Sequence, residues 1–149
     1  MRERVVVFVC VENAGRSLMA EAAFNAIAPP GWRAVSAGTK PSATPHPRTG
    51  PMLSEVGLEI PSHPPMLLSP DLLERASVRV TMGCLDDDSC PAFLTRLEVR
   101  DWALEDPQPL DDDGFRRVRD QILDRVRELR AELLDRGRSS TGDGSVART

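Results

Sequence analysis

Residues 5–21 read VVVFVCVENAGRSLMAE, an apolar run that passes through a short loop into a helix-forming segment. A continuous, valine-rich run of this length is typical of a buried strand in a parallel sheet. Ser17 and the Leu-, Met- and Ala-containing segment after it favour a helix, with Glu21 in an early turn. Cys10 therefore stands where a strand ends, before a loop that turns into a helix N-terminus.

This loop predicts a binding site for a tetrahedral oxyanion. Backbone N–H groups and the positive end of the helix dipole would face its hollow. Gly15 would allow a tight loop conformation that a side chain resists, and Arg16 offers a planar fork for two anion oxygens. The same positive field stabilises a thiolate, so Cys10 is predicted to be a nucleophile aimed at the anion. The plainer alternative is a structural cysteine beside a surface arginine.

The composition fits one globular domain with a real core. The chain has 149 residues, 40% of them hydrophobic, and a net charge of −4, with Lys40 as its sole lysine. An acidic chain without a basic cluster argues against nucleic-acid binding, and no apolar run approaches the length of a membrane span. Three cysteines, an odd number, behind an N-terminus too short for a signal peptide favour a reducing compartment, so we expect a cytoplasmic protein.

Strand and helix patterns alternate along the chain. Strands are predicted at residues 5–10, 32–38, 78–82 and 97–102, and helices at residues 18–28, 47–56, 69–76 and 114–136. In the first helix, Phe24 and Ile27 would face the core. The alternation predicts an α/β fold, a single domain with a four-stranded parallel sheet flanked by helices on both faces. Residues 1–137 would form this domain, and the small, polar residues 138–149 a flexible tail.

Three candidate catalytic residues follow predicted strands: Cys10, Cys84 and Asp106. In parallel sheets ligands bind at the carboxyl ends of the strands, so these residues are expected at one edge of the sheet. His46 and His63 lie in proline-rich connectors, and we interpret both as surface residues.

The loop at residues 83–91 holds two cysteines, Cys84 and Cys90, separated by five residues. Zinc sites typically use closer pairs, and a second pair is missing, so no metal site is predicted. The acidic run at residues 86–88 is more simply solvated. The pair is close enough in sequence to form a disulfide if the loop moves, which favours dithiol chemistry.

The stretch from Cys10 to Glu21 resembles the low-molecular-weight tyrosine phosphatase superfamily, and within it most resembles the arsenate reductases coupled to thioredoxin. The similarity runs from Val5 to about Leu133. Other stretches that carry it are residues 36–39, 80–84 and 102–107. The resemblance implies this superfamily's fold and its anion-binding P-loop. The oxyanion-binding residues that it implies are Val11, Glu12, Asn13, Ala14, Gly15, Arg16 and Ser17.

The resemblance also implies a mechanism, arsenate reduction. Cys10 would attack arsenic in the anion held by Arg16, and Asp106 would protonate the departing oxygen. Cys84 would attack Cys10 and expel arsenite, Cys90 would move the disulfide to the Cys84–Cys90 pair, and thioredoxin would reduce it. Two thiols supply the two electrons of the reduction.

Details of the loop and of the acid follow from the same resemblance. Asn13 would brace the loop, and Ser17 would hydrogen-bond Cys10. Asp106, followed by proline after the fourth predicted strand, stands where the superfamily keeps its general acid. Asp101 and Asp111 are weaker candidates for that role.

Cofactors and partners are also implied by the resemblance. No bound cofactor is expected, and thioredoxin would donate electrons, although mycothiol or glutathione systems stay open. Phosphate and sulfate would compete with arsenate, and the protein would be a monomer. Some relatives bind a potassium ion near the site. Asn13, Glu21 and Ser36 match part of its shell, whereas His63 and Pro65 depart from it, so a potassium site is left open.

Two other functions compete with arsenate reduction. The same loop and acid would serve a phosphotyrosine or phosphoester phosphatase. Against it, the chain has 4% aromatic residues, and Gln108 follows Asp106-Pro107 where the tyrosine phosphatases carry tyrosine. A thiol-based arsenite-binding or sensing protein is the third reading, but a pure binder would not need Asp106. Weak phosphatase activity is expected as a side reaction of the reductase.

Overall fold

A computed structural model of the protein describes residues 3–83 and 98–141, with side chains described as far as Arg136. Its elements are β1 (Arg4–Cys10), α1 (Arg16–Ile27), β2 (Trp32–Gly38), α2 (Thr49–Ser54), α3 (Pro70–Arg75), β3 (Val78–Thr81), β4 (Arg100–Asp101) and α4 (Asp112–Thr141). Cys84 and Cys90, which are predicted to act in the disulfide relay, lie outside the described residues.

Within the described residues the four strands form one sheet in the order β2-β1-β3-β4, and all three pairings are parallel. This confirms the predicted α/β fold. Cys10 pairs with Gly38, the last residue of β2, and Val9 pairs with Thr81, the last residue of β3. The carboxyl ends of the three strands are therefore level, and the loops that follow them meet at one edge.

β1 is buried on both faces, which explains its unbroken apolar sequence. Val6 and Phe8 pack into one core cluster with residues of α1 and α4, and Val7 and Val9 pack into a second cluster beneath α3. Successive side chains of a strand point to opposite faces, so the two clusters lie on opposite sides of the sheet. Helices therefore cover both sides.

α4 contributes the longest apolar stripe to the first cluster. The residues of the stripe are Phe115, Val118, Ile122, Val126, Leu129 and Leu133, each at most 3% exposed. Burial of one large apolar side chain contributes about 1.5–3 kcal/mol, so this stripe holds α4 on the sheet. The predicted stripe is confirmed. The helix itself is longer than predicted, because it begins at Asp112 and ends at Thr141. The boundary between the domain at residues 1–137 and the tail at residues 138–149 stays a prediction.

Two local predictions are corrected, those for Ile27 and for the length of the fourth strand. Ile27 is 37% exposed because it is the last residue of α1, beyond the packed face that includes the fully buried Phe24. The N-cap residue of α1 is Gly15, and Ser17 lies buried in the first turn. β4 comprises Arg100 and Asp101 alone. Ser69 caps the N-terminus of α3, since its Oγ accepts a hydrogen bond of 3.1 Å from the Leu72 N–H.

Candidate active site

The loop between β1 and α1 is held from outside through its carbonyl groups. The Val11 carbonyl accepts a hydrogen bond of 2.8 Å from the Lys40 N–H, and the Glu12 carbonyl accepts one of 2.9 Å from the Ser42 N–H. The Ala14 carbonyl accepts two further bonds, from the N–H of His46 at 3.0 Å and from the hydroxyl of Thr49 at 2.7 Å. These bonds hold three carbonyls of the loop, and a loop fixed in this way can present its N–H groups to an anion.

Two residues fix the shape of this loop. Asn13 has a left-handed backbone with φ of 52°, which asparagine tolerates better than most residues. A Cβ on Gly38 would lie 2.6 Å from the Val11 carbonyl oxygen, so only glycine allows β2 to approach so closely. At Gly15 φ is −141°, and an added Cβ would meet its nearest atom at 3.9 Å. Its ψ of −88° nevertheless places this backbone outside the regions that residues with a side chain favour. The need for glycine at position 15 therefore lies in its backbone conformation, and Gly38 adds a second position where glycine is needed for space.

A chain of hydrogen bonds in the loop ends on the Cys10 sulfur. The Met66 N–H donates to Oδ1 of Asn13 at 2.9 Å, and Nδ2 of Asn13 donates to the hydroxyl of Ser17 at 2.7 Å. Ser17 Oγ lies 2.9 Å from Cys10 Sγ. Because the Ser17 oxygen already accepts from Asn13, its proton is free to point at the sulfur. The Ser17 hydroxyl is therefore placed to donate a hydrogen bond to the Cys10 sulfur.

Arg16 joins the loop to the two segments that follow β3 and β4. Its Nη1 donates to the carbonyls of Met82 at 2.8 Å and Leu104 at 2.6 Å. Gly83 lies beside this contact with φ of 120°, and an added Cβ would come within 3.4 Å of the Leu104 carbonyl oxygen. The guanidinium is therefore held in a fixed orientation at the edge of the sheet.

Cys10, Arg16 and Asp106 line one cavity of about 460 Å³. Asp106 is exposed, and its Oδ1 accepts a hydrogen bond of 3.0 Å from the Gln108 N–H, which fixes the turn that carries it. The Gln108 side chain donates to the Glu12 carboxylate at 3.0 Å, so the turn is also tied to the loop after β1. None of the described residues that line the cavity is aromatic.

The remaining candidates occupy other positions. Asp101 caps the Ala103 N–H and Asp111 caps the Gly114 N–H, and neither lines the cavity. Half-buried His46 braces the loop through its backbone, and its ring lies 5.9 Å from that of Phe115, so it is more than a surface residue. Cys84 and Cys90 lie outside the described residues, and their roles stay predictions.

Glu21 and His63, which the resemblance placed at the potassium shell, form a direct contact that was not predicted. Glu21 is buried at 7% exposure, and its carboxylate accepts hydrogen bonds from Ser36 Oγ at 2.5 Å and from His63 Nε2 at 2.8 Å. Burial, the largest single influence, lowers the pKa of His63, but the Pro64 carbonyl and the Glu21 carboxylate together raise it above its ordinary value. The interpretation of His63 as a surface residue is wrong, because the ring packs against buried Glu21.

The same contact bears on potassium. Potassium would require oxygen ligands, yet the Glu21 carboxylate already accepts from Ser36 and His63, and Oδ1 of Asn13 accepts from Met66. The positive edge of the His63 ring faces the carboxylate. His63 therefore takes the place beside Glu21 that a cation would occupy, and potassium binding itself stays an open prediction. Elsewhere within residues 3–83 and 98–136, no group of three or more His, Cys, Asp or Glu side chains is placed to hold a metal.

Comparisons with known proteins agree with this geometry. The family "Low molecular weight phosphotyrosine protein phosphatase" matches residues 5–139. "Arsenate reductase 1" of Staphylococcus haemolyticus is 31% identical, over 90% of this chain and 100% of that protein.

Solved structures give the same fold. The thioredoxin-dependent arsenate reductase Cg_ArsC1' of Corynebacterium glutamicum is 34% identical with a TM-score of 0.69, over 86% of this chain and 60% of that one. The YwlE arginine phosphatase of Geobacillus stearothermophilus has a TM-score of 0.78 at 22% identity, over 95% and 99% of the two chains, and supports the fold alone.

Across the described part of the chain, no helix is both long and apolar enough to span a membrane.

Proposed function

Because the chain belongs to the low molecular weight phosphotyrosine protein phosphatase family, we propose that it uses the family's anion-binding loop as an arsenate reductase. The observation that carries this proposal is the convergence of Cys10, Arg16 and Asp106 on one cavity. The similarity to an arsenate reductase over that protein's full length supports arsenate as the substrate.

The first step is addition of Cys10 to arsenate. The loop N–H groups of residues 11–17 and the Arg16 guanidinium bind the anion oxygens, with Nη1 of Arg16 already anchored on two carbonyls. The Cys10 thiolate, supported by Ser17, forms a sulfur–arsenic bond. Asp106 donates a proton to the departing oxygen, which leaves as water.

The second step is the reduction itself. A Cys84 thiolate attacks Cys10 Sγ, the sulfur–arsenic bond breaks, and its electron pair stays on arsenic, which leaves as arsenite. This forms a Cys10–Cys84 disulfide. Cys90 then attacks Cys84, which frees Cys10 and leaves a Cys84–Cys90 disulfide. A thioredoxin dithiol reduces that disulfide, in keeping with the thioredoxin dependence of the Corynebacterium glutamicum relative.

Phosphoester hydrolysis is the second candidate, since the matching family is described as a phosphatase. The cavity can hold phosphate as it holds arsenate, so phosphate and sulfate should compete. Gln108 occupies the cavity wall, and none of the described lining residues offers an aromatic face to a phenyl ester. We therefore propose phosphatase activity as a weak side reaction of a monomeric, cytoplasmic reductase.

The deciding experiment measures arsenate-dependent NADPH oxidation with thioredoxin and thioredoxin reductase. The wild type is compared with Cys10→Ser, Cys84→Ser and Cys90→Ser. We expect turnover in the wild type and none in the three variants. Loss in Cys10→Ser alone would reject the relay through Cys84 and Cys90. Absence of arsenate-dependent oxidation beside brisk hydrolysis of p-nitrophenyl phosphate would establish the phosphatase instead.

A further inference from the structure

Both ring nitrogens of His63 face oxygen atoms that only accept hydrogen bonds. Nδ1 lies 2.7 Å from the Pro64 carbonyl oxygen, and Nε2 lies 2.8 Å and 3.1 Å from the two oxygens of Glu21. A carbonyl has no proton to give, and neither has an ionised carboxylate. These contacts are those that an imidazolium cation makes, with one N–H donated from each nitrogen.

The position of Glu21 explains why a cation is needed. Glu21 belongs to α1, where it is 7% exposed among apolar neighbours of the core. A buried carboxylate is costly unless it is paired and hydrogen-bonded. Ser36 supplies a hydrogen bond, and His63 supplies both a hydrogen bond and the opposite charge.

The connector that carries His63 also reaches the catalytic loop. Three residues further on, the Met66 N–H donates to Asn13, and the Met66 carbonyl accepts from the Gly38 N–H at 2.8 Å. His63 and Met66 thus tie residues 63–66 to α1 at one end and to the loop at the other. Asn13 passes this contact to Ser17, which lies against Cys10.

We propose that His63 is a positioning residue whose positive charge secures residues 63–66, so that Met66 holds Asn13 and thereby directs the Ser17 hydroxyl at the Cys10 thiolate. The cation that the buried Glu21 requires is thus part of the chain itself. This inference rests on the proposed role of Cys10 as nucleophile, but not on arsenate as the substrate.

The test is the rate of Cys10 alkylation by iodoacetamide at pH 7, in a Cys84→Ser/Cys90→Ser background. His63→Gln keeps a similar size and a donor but removes the charge. We expect alkylation of Cys10 in this variant to be about fivefold to tenfold slower, because the hydrogen bond from Ser17 that supports the thiolate would be misaligned. His63→Lys retains the charge and should return the rate to within about twofold. Glu3→Gln, which breaks the exposed Glu3–Arg33 ion pair, should leave the rate unchanged.

Thermal unfolding of each variant separates positioning from mere stability. A His63→Gln protein that is fully folded at the assay temperature and alkylates at the parental rate would overturn the proposal. Equal changes in His63→Gln and His63→Lys would reject the role of charge. The background protein should react equally fast in potassium chloride and sodium chloride, and a potassium-specific change would contradict a built-in cation. Because alkylation involves no arsenate, failure here leaves the proposed function untouched.

Discussion

Glu21 and Glu55 are both bound by cationic side chains, yet they occupy different regions with different consequences. The Glu21 side chain is 9% exposed, and its partner His63 belongs to the connector that reaches the catalytic loop. The Glu55 side chain is 41% exposed and joins α2 to α4 through Arg116 at 3.0 Å and Arg119 at 2.7 Å. The Glu21–His63 pair can therefore influence Cys10, because the segment that carries His63 contacts the catalytic loop. The Glu55 pairs should affect stability alone.

The same contrast holds for the regions around them. The loop from Cys10 to Ser17 is fixed by directed hydrogen bonds, several of them to carbonyls. α4 is fixed mainly by an apolar stripe, whose contacts are not directional. Changes in the first region should reduce activity with modest effects on stability, and changes in the second should do the reverse.

The largest effect on stability should come from Phe115→Ala. Phe115 is fully buried in the cluster beneath α4, so truncation removes apolar contact and leaves a cavity. We expect the free energy of unfolding to fall by about 3–5 kcal/mol. Chemical denaturation measures this, with Arg127→Ala on the exposed face of α4 as control. A loss below about 1 kcal/mol would mean that the stripe does not hold α4.

Arg16→Lys should reduce activity much more than it reduces stability, the opposite of Phe115→Ala. Lysine cannot reproduce the planar fork, and it loses at least one of the two carbonyl contacts of Nη1. We expect kcat/KM for arsenate to fall by about 100-fold to 1000-fold, the range for removal of one anion-stabilising donor. Steady-state assays decide this, and a decrease below tenfold would remove Arg16 from anion binding.

Asp106→Asn should reduce kcat with little change in unfolding, since Asp106 is exposed. Loss of a general acid costs about 100-fold or more. Asp101→Asn is the matched control, because Asp101 caps a turn but does not line the cavity. Equal losses in both variants would show that the effect arises from the loop and not from proton transfer.

Glu55→Gln should have the smallest effect, confined to stability. Hydrogen bonds from Arg116 and then Arg119 lower the pKa of Glu55 from 4.5 to about 2. A carboxyl whose pKa is lower in the folded state stabilises the fold above its unfolded pKa and loses that contribution as the pH falls towards 2. The difference in Tm between wild type and variant should therefore be present at pH 7 and vanish near pH 2. A difference that persists at pH 2 would exclude the ion pair as its source.

How much the sequence could predict differs between the two regions. The apolar run of β1 and the stripe of α4 repeat at the periods of strand and helix, so local pattern was sufficient for both. In the loop, glycine and asparagine both tolerate unusual backbone conformations, and the pattern pointed to Gly15 but not to the left-handed backbone of Asn13. That choice depends on the close approach of Gly38, which is a tertiary contact.

The Glu21–His63 pair was missed for a similar reason. The two residues are 42 positions apart, and the resemblance placed His63 near Glu21 only as a departure from a potassium shell, not as its hydrogen-bond partner. A signal did exist in α1, where Glu21 interrupts a run of small and apolar residues. A carboxylate on the buried side of a helix requires a cation, and His63 was one of few available outside the arginines.

The most direct test of the central claim is a single turnover without thioredoxin. Fully reduced protein is mixed with excess arsenate, and arsenite and free thiols are both counted. We predict one arsenite per chain and a fall from three free thiols to one, with Cys10 recovered as the free thiol by mass spectrometry. Formation of no arsenite, with all three thiols retained, would contradict arsenate reduction by this chain.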